Sequence, residues 1–537
     1  MKLVSVTEMQ QIEREANAAG LSYARMMENA GLGLAQAIHH EYGSLPKKSL
    51  VALVGPGNNG GDALVALARL IGRGWRGCAY LVKSRPEDPL VDRVRLARGL
   101  VYELDDDPDF SRLRTLLEEN RVLVDGVLGT GTRLPLRGSI AEVLGFVRKA
   151  RLGLADRLSV VAVDCPSGVD CDSGEAAEQC IPANLTVTMA AIKAGLVRFP
   201  ASNLVGQLQV ASIGPVEDLH SWKESRCEIV TAEWVRHILP DRPQDSHKGT
   251  FGTVLIAAGS VNYTGAAFLA GQAAYRSGVG LVTLAVVKPL HRILAGQFPE
   301  ATWLILPDSE GAIAADGAAV VLRNLERVTG LLMGPGFGLA DTTRGFFHRI
   351  LAGEDAERSL GFLLRNETAA NPYKVDLPPI VVDADGLRLL ASLADWWKKL
   401  PAKSILTPHP GEMAALTGLP TADIQAERLE TASKYAQAWG HVVILKGANT
   451  VVASPDGELA LIPVASPALA RAGTGDVLAG LVTGLRAQGV DAYPAALAGA
   501  WIHAQAGLKA AADLGTSASV LAGDVLRMLP AVLSELN

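Results

Sequence analysis

The chain has 537 residues, with 50 Lys and Arg against 56 Asp and Glu, for a net charge of −6. That length exceeds one hydrophobic core, so roughly two to four domains are expected, and the mild charge excludes an electrostatic binder of nucleic acid or anionic membrane. A 49% hydrophobic content, 55 glycines and 5% aromatics suit an α/β fold with many tight strand-to-helix turns.

The opening stretch, "MKLVSVTEMQQIEREANAAG", lacks the continuous apolar core of a signal peptide and turns charged early. It reads as an amphipathic helix with Thr7 and Gln10 placed as a capping box. No apolar run reaches the ~18 residues of a membrane span. Cys78, Cys165, Cys171, Cys180 and Cys227 are odd in number and lack metal spacing, which fits a reduced, cytoplasmic chain.

Strands are predicted at 50–55, 78–83, 122–129, 159–168, 185–190 and 207–214. They are almost continuously apolar, the mark of a sheet buried on both faces, hence of parallel strands with helical crossovers. Residues 215–250 are polar, carry Pro215, Pro240 and Pro243, and read as a seam. Strands resume at 252–260, 281–287, 331–338, 379–387, 404–412 and 441–447, followed by a β-ribbon over 450–462 turning at Asp456-Gly457. Residues 352–377 read as a polar surface insertion. Two α/β domains meeting near residue 225 are expected, and in such sheets ligands sit beyond the carboxyl ends of the strands.

In the first domain Gly55, Gly57 and Gly60 satisfy the nominal dinucleotide fingerprint. The acidic partner expected about 20 residues on is missing; the next strand ends in Lys83, Ser84 and Arg85. The centre, Asn58-Asn59-Gly60-Gly61-Asp62, is too polar for a bare turn, and Asn tolerates left-handed backbone while offering carbonyl oxygen. Two more strand ends carry Asp125, and Asp164 with Ser167. A buried carboxylate needs a cation, donors or a catalytic task. Asn59, Asp125 and Ser167 are all oxygen donors that one hard cation can share.

In the second domain "AGTGDVLAG" (472–480) sets Asp476 after Gly473-Thr474-Gly475 at the mouth of an apolar helix. Unpaired N–H groups and partial positive charge there suit a phosphoryl group, and Asp476 can take the proton of an attacking hydroxyl. The plainer alternative is that Asp476 is only an N-cap. "GPGFG" (334–338) clears space at a strand end, "LKGANT" (445–450) offers Lys446 and backbone donors, and "TPHPGE" (407–412) holds His409 between two prolines. Lys248 reads by default as surface charge. There is no G-x-x-x-x-G-K-[ST] P-loop.

Together "HKGTFGTVLIAAGS", "NYTGAAFLAGQAAYRSGVGLVT", "GPGFG", "TPHPGEMAAL", "LKGANTVV" and "AGTGDVLAG" resemble the ADP/ATP-dependent NAD(P)H-hydrate dehydratases of the ribokinase-like superfamily, over residues 228–537. The resemblance implies phosphorylation of the hydroxyl on hydrated NADH or NADPH and its loss as phosphate, with Mg2+ and ADP or ATP. It also implies Asp476 as base, Ala266, Gly336, His409 and Asp476 at the hydrate, and Lys446, Gly447, Ala448, Asn449, Thr450 and Gly475 at the nucleotide. Relatives of bacterial origin tend to convert ADP to AMP, and no residue here decides between ADP and ATP.

The order "MENAG", "GNNGGD", "VDGVLGTG", "VDCPSG", "TVTMAAIKAGL" resembles the NAD(P)H-hydrate epimerases, over residues 1–220. Ala63 replaces the glycine that often follows the "GNNGGD" motif. This resemblance implies a Rossmann-like parallel-sheet sandwich interconverting the R and S hydrates. Asn58, Asn59, Gly60, Gly61, Asp62, Gly129, Thr130, Gly131, Thr132, Arg133, Leu134, Pro135 and Asp164 would contact the hydrate, and potassium would be held by Asn59, Asp125 and Ser167. Asp164 would transfer the proton, with Lys193 assisting or simply lying at the surface. The fused chain would be a cytoplasmic homo-oligomer acting on small molecules, with neither nucleic-acid nor membrane partners. Two competing readings are an NADP-dependent reductase fused to a small-alcohol kinase, and a first domain that only binds.

Overall fold

The apolar runs of the first part become central strands because each is flanked by a helix able to cover it. In the computed structural model, which describes residues 1–154, 157–352 and 376–536, the chain divides into two units, Met1–Cys227 and Glu228–Asn537. Most of the predicted 352–377 insertion lies outside the described residues.

The first unit is built on a parallel sheet in the order Leu100–Glu103, Arg76–Leu81, Ser49–Val54, Val122–Gly126, Ser159–Val163, Leu185–Met189, Gln207–Ala211. Helices Val6–Ala18, Tyr23–Tyr42 and Asn58–Gly72 bury Ile12, Leu34 and Leu64 on one face. Helices Ser111–Glu119 and Gly138–Leu152 bury Leu117, Val143 and Val147 on the other. Each such side chain contributes about 1.5–3 kcal/mol. Leu100–Glu103 escapes the sequence reading because it is a four-residue edge strand, none of it fully buried, with only three apolar residues in a row.

The helix start is also displaced. Leu3–Val4 pairs with Ile192–Lys193, so Ser5 is the first residue free to turn. Its hydroxyl accepts from Glu8 N–H at 3.1 Å and the Glu8 carboxylate accepts from Ser5 N–H at 2.7 Å. The capping box is therefore Ser5–Glu8, not Thr7–Gln10.

In the second unit the parallel strands run Ile405–Leu406, Ile380–Val382, Gly330–Met333, Thr253–Ala257, Leu281–Val287, Thr302–Leu306 from Val442–Leu445 outward. On the other side of Val442–Leu445 the ribbon Thr450–Ala453 and Leu459–Ile462 adds antiparallel strands, its turn eased by Gly457 at φ +90°. Helix Thr474–Ala487, buried almost throughout, packs against Thr264–Arg276.

Both sheets reverse their order once: beside Ser49–Val54, where the chain returns to Val122–Gly126, and beside Thr253–Ala257, where it returns to Gly330–Met333. The loops leaving these pairs diverge and open a crevice. No described helix is long and apolar enough to cross a membrane.

Candidate active sites

In the first unit the Gly-rich loop leaves Ser49–Val54 and enters helix Asn58–Gly72 at once. Asn59 Nδ2 donates to Leu128 O at 2.9 Å and Val163 O at 2.6 Å, tying together the ends of three strands. Gly129 must be glycine, since a Cβ there would lie 2.3 Å from Asn59 Oδ1. Thr132 closes the following turn on Gly129 O, leaving Gly131, Arg133 and Pro135 exposed. Where a dinucleotide fold would place its acid, Arg85 instead donates to Gly55 O at 2.7 Å and Gly57 O at 3.1 Å and straps the loop.

Asn59 and Ser167 converge on the Leu128 peptide, and Asp125 joins them through Ser167. Leu128 N–H donates to Ser167 Oγ at 2.9 Å, and Ser167 donates to fully buried Asp125 through Oγ at 2.5 Å and N–H at 2.9 Å. Burial raises the Asp125 carboxyl, with the Ser167 bonds opposing. No described Lys or Arg pairs with it; its recorded partners are the Ser167 hydroxyl and the N–H groups of Ser167 and Val127.

Asp164 takes left-handed backbone, φ +62°, uncommon for a non-glycine residue. Its Oδ1 accepts from Thr188 Oγ1 and Met189 N–H, both at 3.0 Å, and from Lys193 Nζ. Lys193 is 1% exposed, with further bonds to Thr188 Oγ1 and Met189 O. The surface alternative for Lys193 is thereby excluded. Asp62 is buried and its carboxyl makes no hydrogen bond among the described residues; burial, then the charges of Asp164 and Glu13, push it well above the usual carboxylate range against the pull of Lys193. Glu13, raised by burial, is a member of this group that the sequence reading missed.

In the second unit Asp383, at the end of Ile380–Val382, accepts from Lys446 Nζ and from Thr407 Oγ1, both at 2.6 Å. Lys446 Nζ also lies 3.7 Å from Glu412. Burial works against the ammonium, but Asp383 and Glu412 outweigh it and hold Lys446 above its ordinary value. Ala384, at φ +52° and ψ −125°, carries strain of about 1–3 kcal/mol. It lets both Asp383 and Asp385 face the loops, and Asp385 accepts from Gly338 N–H at 2.8 Å. Gly259 N–H donates to Pro335 O at 2.8 Å and Ser260 Oγ to Gly336 O at 2.9 Å, while a Cβ on Gly336 would lie 2.8 Å from that of Ala266.

Helix Thr474–Ala487 completes the site. Gly473 starts it in left-handed backbone without a side-chain cap, and the N–H groups of Gly475 and Asp476 make no hydrogen bond among the described residues. A Cβ on Gly475 would lie 3.4 Å from Lys446 Nζ and 3.8 Å from Asp383 Oδ2, so the loop abuts the ion pair. Asp476 caps nothing; burial, then Asp383, push its carboxyl up to about 7 against Lys446. His409 is the N-cap of Pro410–Thr417: its Nδ1 accepts from Gly411 and Glu412 N–H at 3.0 and 3.3 Å, and Nε2 faces Glu412 Oε1 at 3.3 Å. Burial, then Lys446 and Arg388, hold His409 below its ordinary value. In the 446–450 loop Thr450 Oγ1 donates to Gly447 O at 2.9 Å, Asn449 is buried, and Gly447 and Ala448 are exposed. Asp383, Asp385, Thr407 and Glu412 were missed as site residues, although "VVDADG", an acid pair ending an apolar strand, carried a signal.

A family profile described as NAD(P)H-hydrate dehydratase matches residues 254–531, and one described as YjeF-related protein N-terminus matches residues 23–195. Three relatives bearing the name bifunctional NAD(P)H-hydrate repair enzyme Nnr are similar along their length. The one from Moorella thermoacetica is 38% identical over 100% of this chain and 97% of its own. That from Salinibacter ruber is 34% identical over 96% and 93%, and that from Escherichia coli 31% identical over 97% and 92%. A solved structure of the Bacillus subtilis ADP/ATP-dependent NAD(P)H-hydrate dehydratase, co-crystallised with ATP and Mg2+, is 31% identical, covers 58% of this chain and 99% of its own, and has a TM-score of 0.47.

Proposed function

The chain belongs to the family of bifunctional NAD(P)H-hydrate repair enzymes, and from that premise we propose a division of labour: Met1–Cys227 interconverts the R and S hydrates and Glu228–Asn537 dehydrates the S form with ADP or ATP. The reduced nicotinamide ring is an enamine. Water adds its hydroxyl to the carbon next to ring nitrogen, on either face, so both epimers arise and one chiral pocket accepts only one.

In the second unit Asp476 takes the proton from that hydroxyl as its oxygen attacks the terminal phosphorus of the nucleotide. The bare amides of Gly475 and Asp476 meet the developing charge. The C–O bond then breaks toward phosphate, pushed by the ring nitrogen, and loss of a proton from the neighbouring carbon restores the double bond. The loop from Lys446 to Thr450 seats the nucleotide, and Ala266, Gly336 and His409 bound the hydrate. The acids at Asp383, Asp385 and Glu412 are oxygen donors of the kind a nucleotide-borne Mg2+ uses; such an ion would neutralise phosphate charge. One observation carries this reading: a carboxyl pushed up to about 7 at an uncapped helix mouth is matched to accept a proton near neutral pH.

In the first unit two carboxyls divide the work. Asp62, whose carboxyl burial and the neighbouring acids push toward its neutral form, gives its proton to the departing hydroxyl, which leaves as water while the ring nitrogen forms an iminium. Water adds from the other face and yields its proton to Asp164, which Lys193 orients. The reverse reaction exchanges the two roles. Residues 58–62 and 129–135 hold the substrate, and a potassium ion on Asn59, Asp125 and Ser167 would fix the loop between them.

The test is incubation with mixed hydrates and ADP or ATP, following both epimers by chromatography and the return of reduced-nicotinamide absorbance. Both epimers should be consumed. Oxidation of NADPH, or a stable phosphorylated product, would overturn the proposal in favour of a reductase–kinase.

A further inference from the structure

Lys446 is the cation that the sequence offers to a nucleotide, yet its charge is already met by Asp383 and Glu412. Immediately behind the same loop stands a cation without such compensation. Arg428 opens helix Arg428–Trp439. Its Nη2 donates to Leu445 O at 2.9 Å and its Nη1 to Gln425 Oε1 at 2.9 Å. The Nε donor is enclosed and has no partner. A Cβ built on Gly447 would stand 3.0 Å from both Nη atoms and 3.2 Å from Cζ, so the guanidinium lies against the loop backbone, and Gly447 at φ +149° takes a conformation that strains other residues.

No described carboxylate forms an ion pair with this guanidinium, and burial alone pulls it down to about 10. Its position at the start of a helix adds to the cost, because the helix dipole disfavours positive charge there. A half-buried guanidinium with no carboxylate partner and an enclosed, unbonded Nε is held at a desolvation cost, which calls for an anion that arrives later.

We propose that Arg428 is a positioning residue for the nucleotide polyphosphate: it shapes the Lys446–Thr450 loop through Leu445 O and Gly447 and supplies the positive charge that Lys446 has spent on Asp383. The assignment rests on the nucleotide site proposed above and adds a residue to it. It predicts that Arg428 senses phosphate number rather than the base.

The experiment is calorimetric titration of the full chain and of Arg428→Ala, Arg428→Gln and Arg428→Lys with adenosine, AMP, ADP and ATP. Charge-assisted contacts are of a size to weaken ATP by about 10- to 100-fold when lost. In Arg428→Ala and Arg428→Gln the loss should grow from AMP to ATP and leave adenosine within about twofold, while Arg428→Lys should restore much of the ATP affinity. Equal loss for all four ligands would make Arg428 merely a loop brace, and unchanged ATP affinity would remove it from the site; either overturns the proposal. Should Arg428→Ala fail to fold, the Gln and Lys variants decide, since Gln keeps a donor for Leu445 O. Absence of ADP and ATP binding by the unaltered chain would instead sink the nucleotide site itself.

Discussion

Replacing Asp476 by Asn should abolish dehydration and at the same time stabilise the second unit, by an amount that depends on pH. The carboxyl titrates near 7 in the folded chain and near 3.8 when exposed. That difference corresponds to about 4 kcal/mol at most, at roughly 1.4 kcal/mol per tenfold change in proton affinity. The sign follows from proton counting. Between the two midpoints the folded chain holds the proton and the unfolded chain does not, so stability falls as pH rises through this window. Above it the full cost of the buried charge is present; below pH 3.8 none is. Asn carries no such charge, so Asp476→Asn should melt higher than the unaltered chain at pH 8 and equal it near pH 4, measured by scanning calorimetry. Turnover on S hydrate with ADP or ATP, read from reduced-nicotinamide absorbance, should drop by about 10²–10⁴, and in the unaltered chain kcat/KM should rise with pH through about 7. A gain equal at both pH values, or a loss at pH 8, would refute the ionisation argument; unchanged turnover would refute the base.

Asp164→Ala should stop R-to-S exchange while S-hydrate dehydration continues, checked by chromatography of the two epimers. Lys193→Met removes the buried ammonium and strands the Asp164 charge, so the first unit should lose about 3–5 kcal/mol near neutral pH, measured by chemical denaturation. Exchange should accelerate when potassium replaces lithium, and Ser167→Ala, which takes one oxygen from the Leu128 cluster, should flatten that response. Gly129→Ala drives a methyl onto Asn59 and should slow exchange at least tenfold without lowering ATP affinity.

Much of the fold was legible because near-continuous apolar runs can be satisfied only between two helical layers. The β-ribbon turned where Asp456-Gly457 requires, at Gly457 with φ +90°. What failed was local or distant in particular ways. The first helix is capped at Ser5, not at Thr7, because Val4 is held by Lys193, whose position 189 residues later no local pattern reveals. Lys193 itself was ambiguous for the same reason: its burial depends on Asp164, Thr188 and Met189 closing around it. Motif reading singled out Asp476 and Lys446, which sit in distinctive loops, but not Asp383, a carboxylate at the end of a short strand that the structure places against Lys446. Its role emerges only when a lysine 63 positions away reaches it.

The N-cap at His409 also decides what that ring can recognise. With Nδ1 occupied as an acceptor for two backbone amides, the proton resides on Nε2, and adding a second would turn an acceptor toward two donors and unfasten the first turn of Pro410–Thr417. The imidazole thus has a fixed polarity. Apart from Glu412, it offers a donor to electron-rich atoms such as a carboxamide or hydroxyl oxygen and nothing to an amide N–H, a choice the backbone has already made for any ligand brought to this edge.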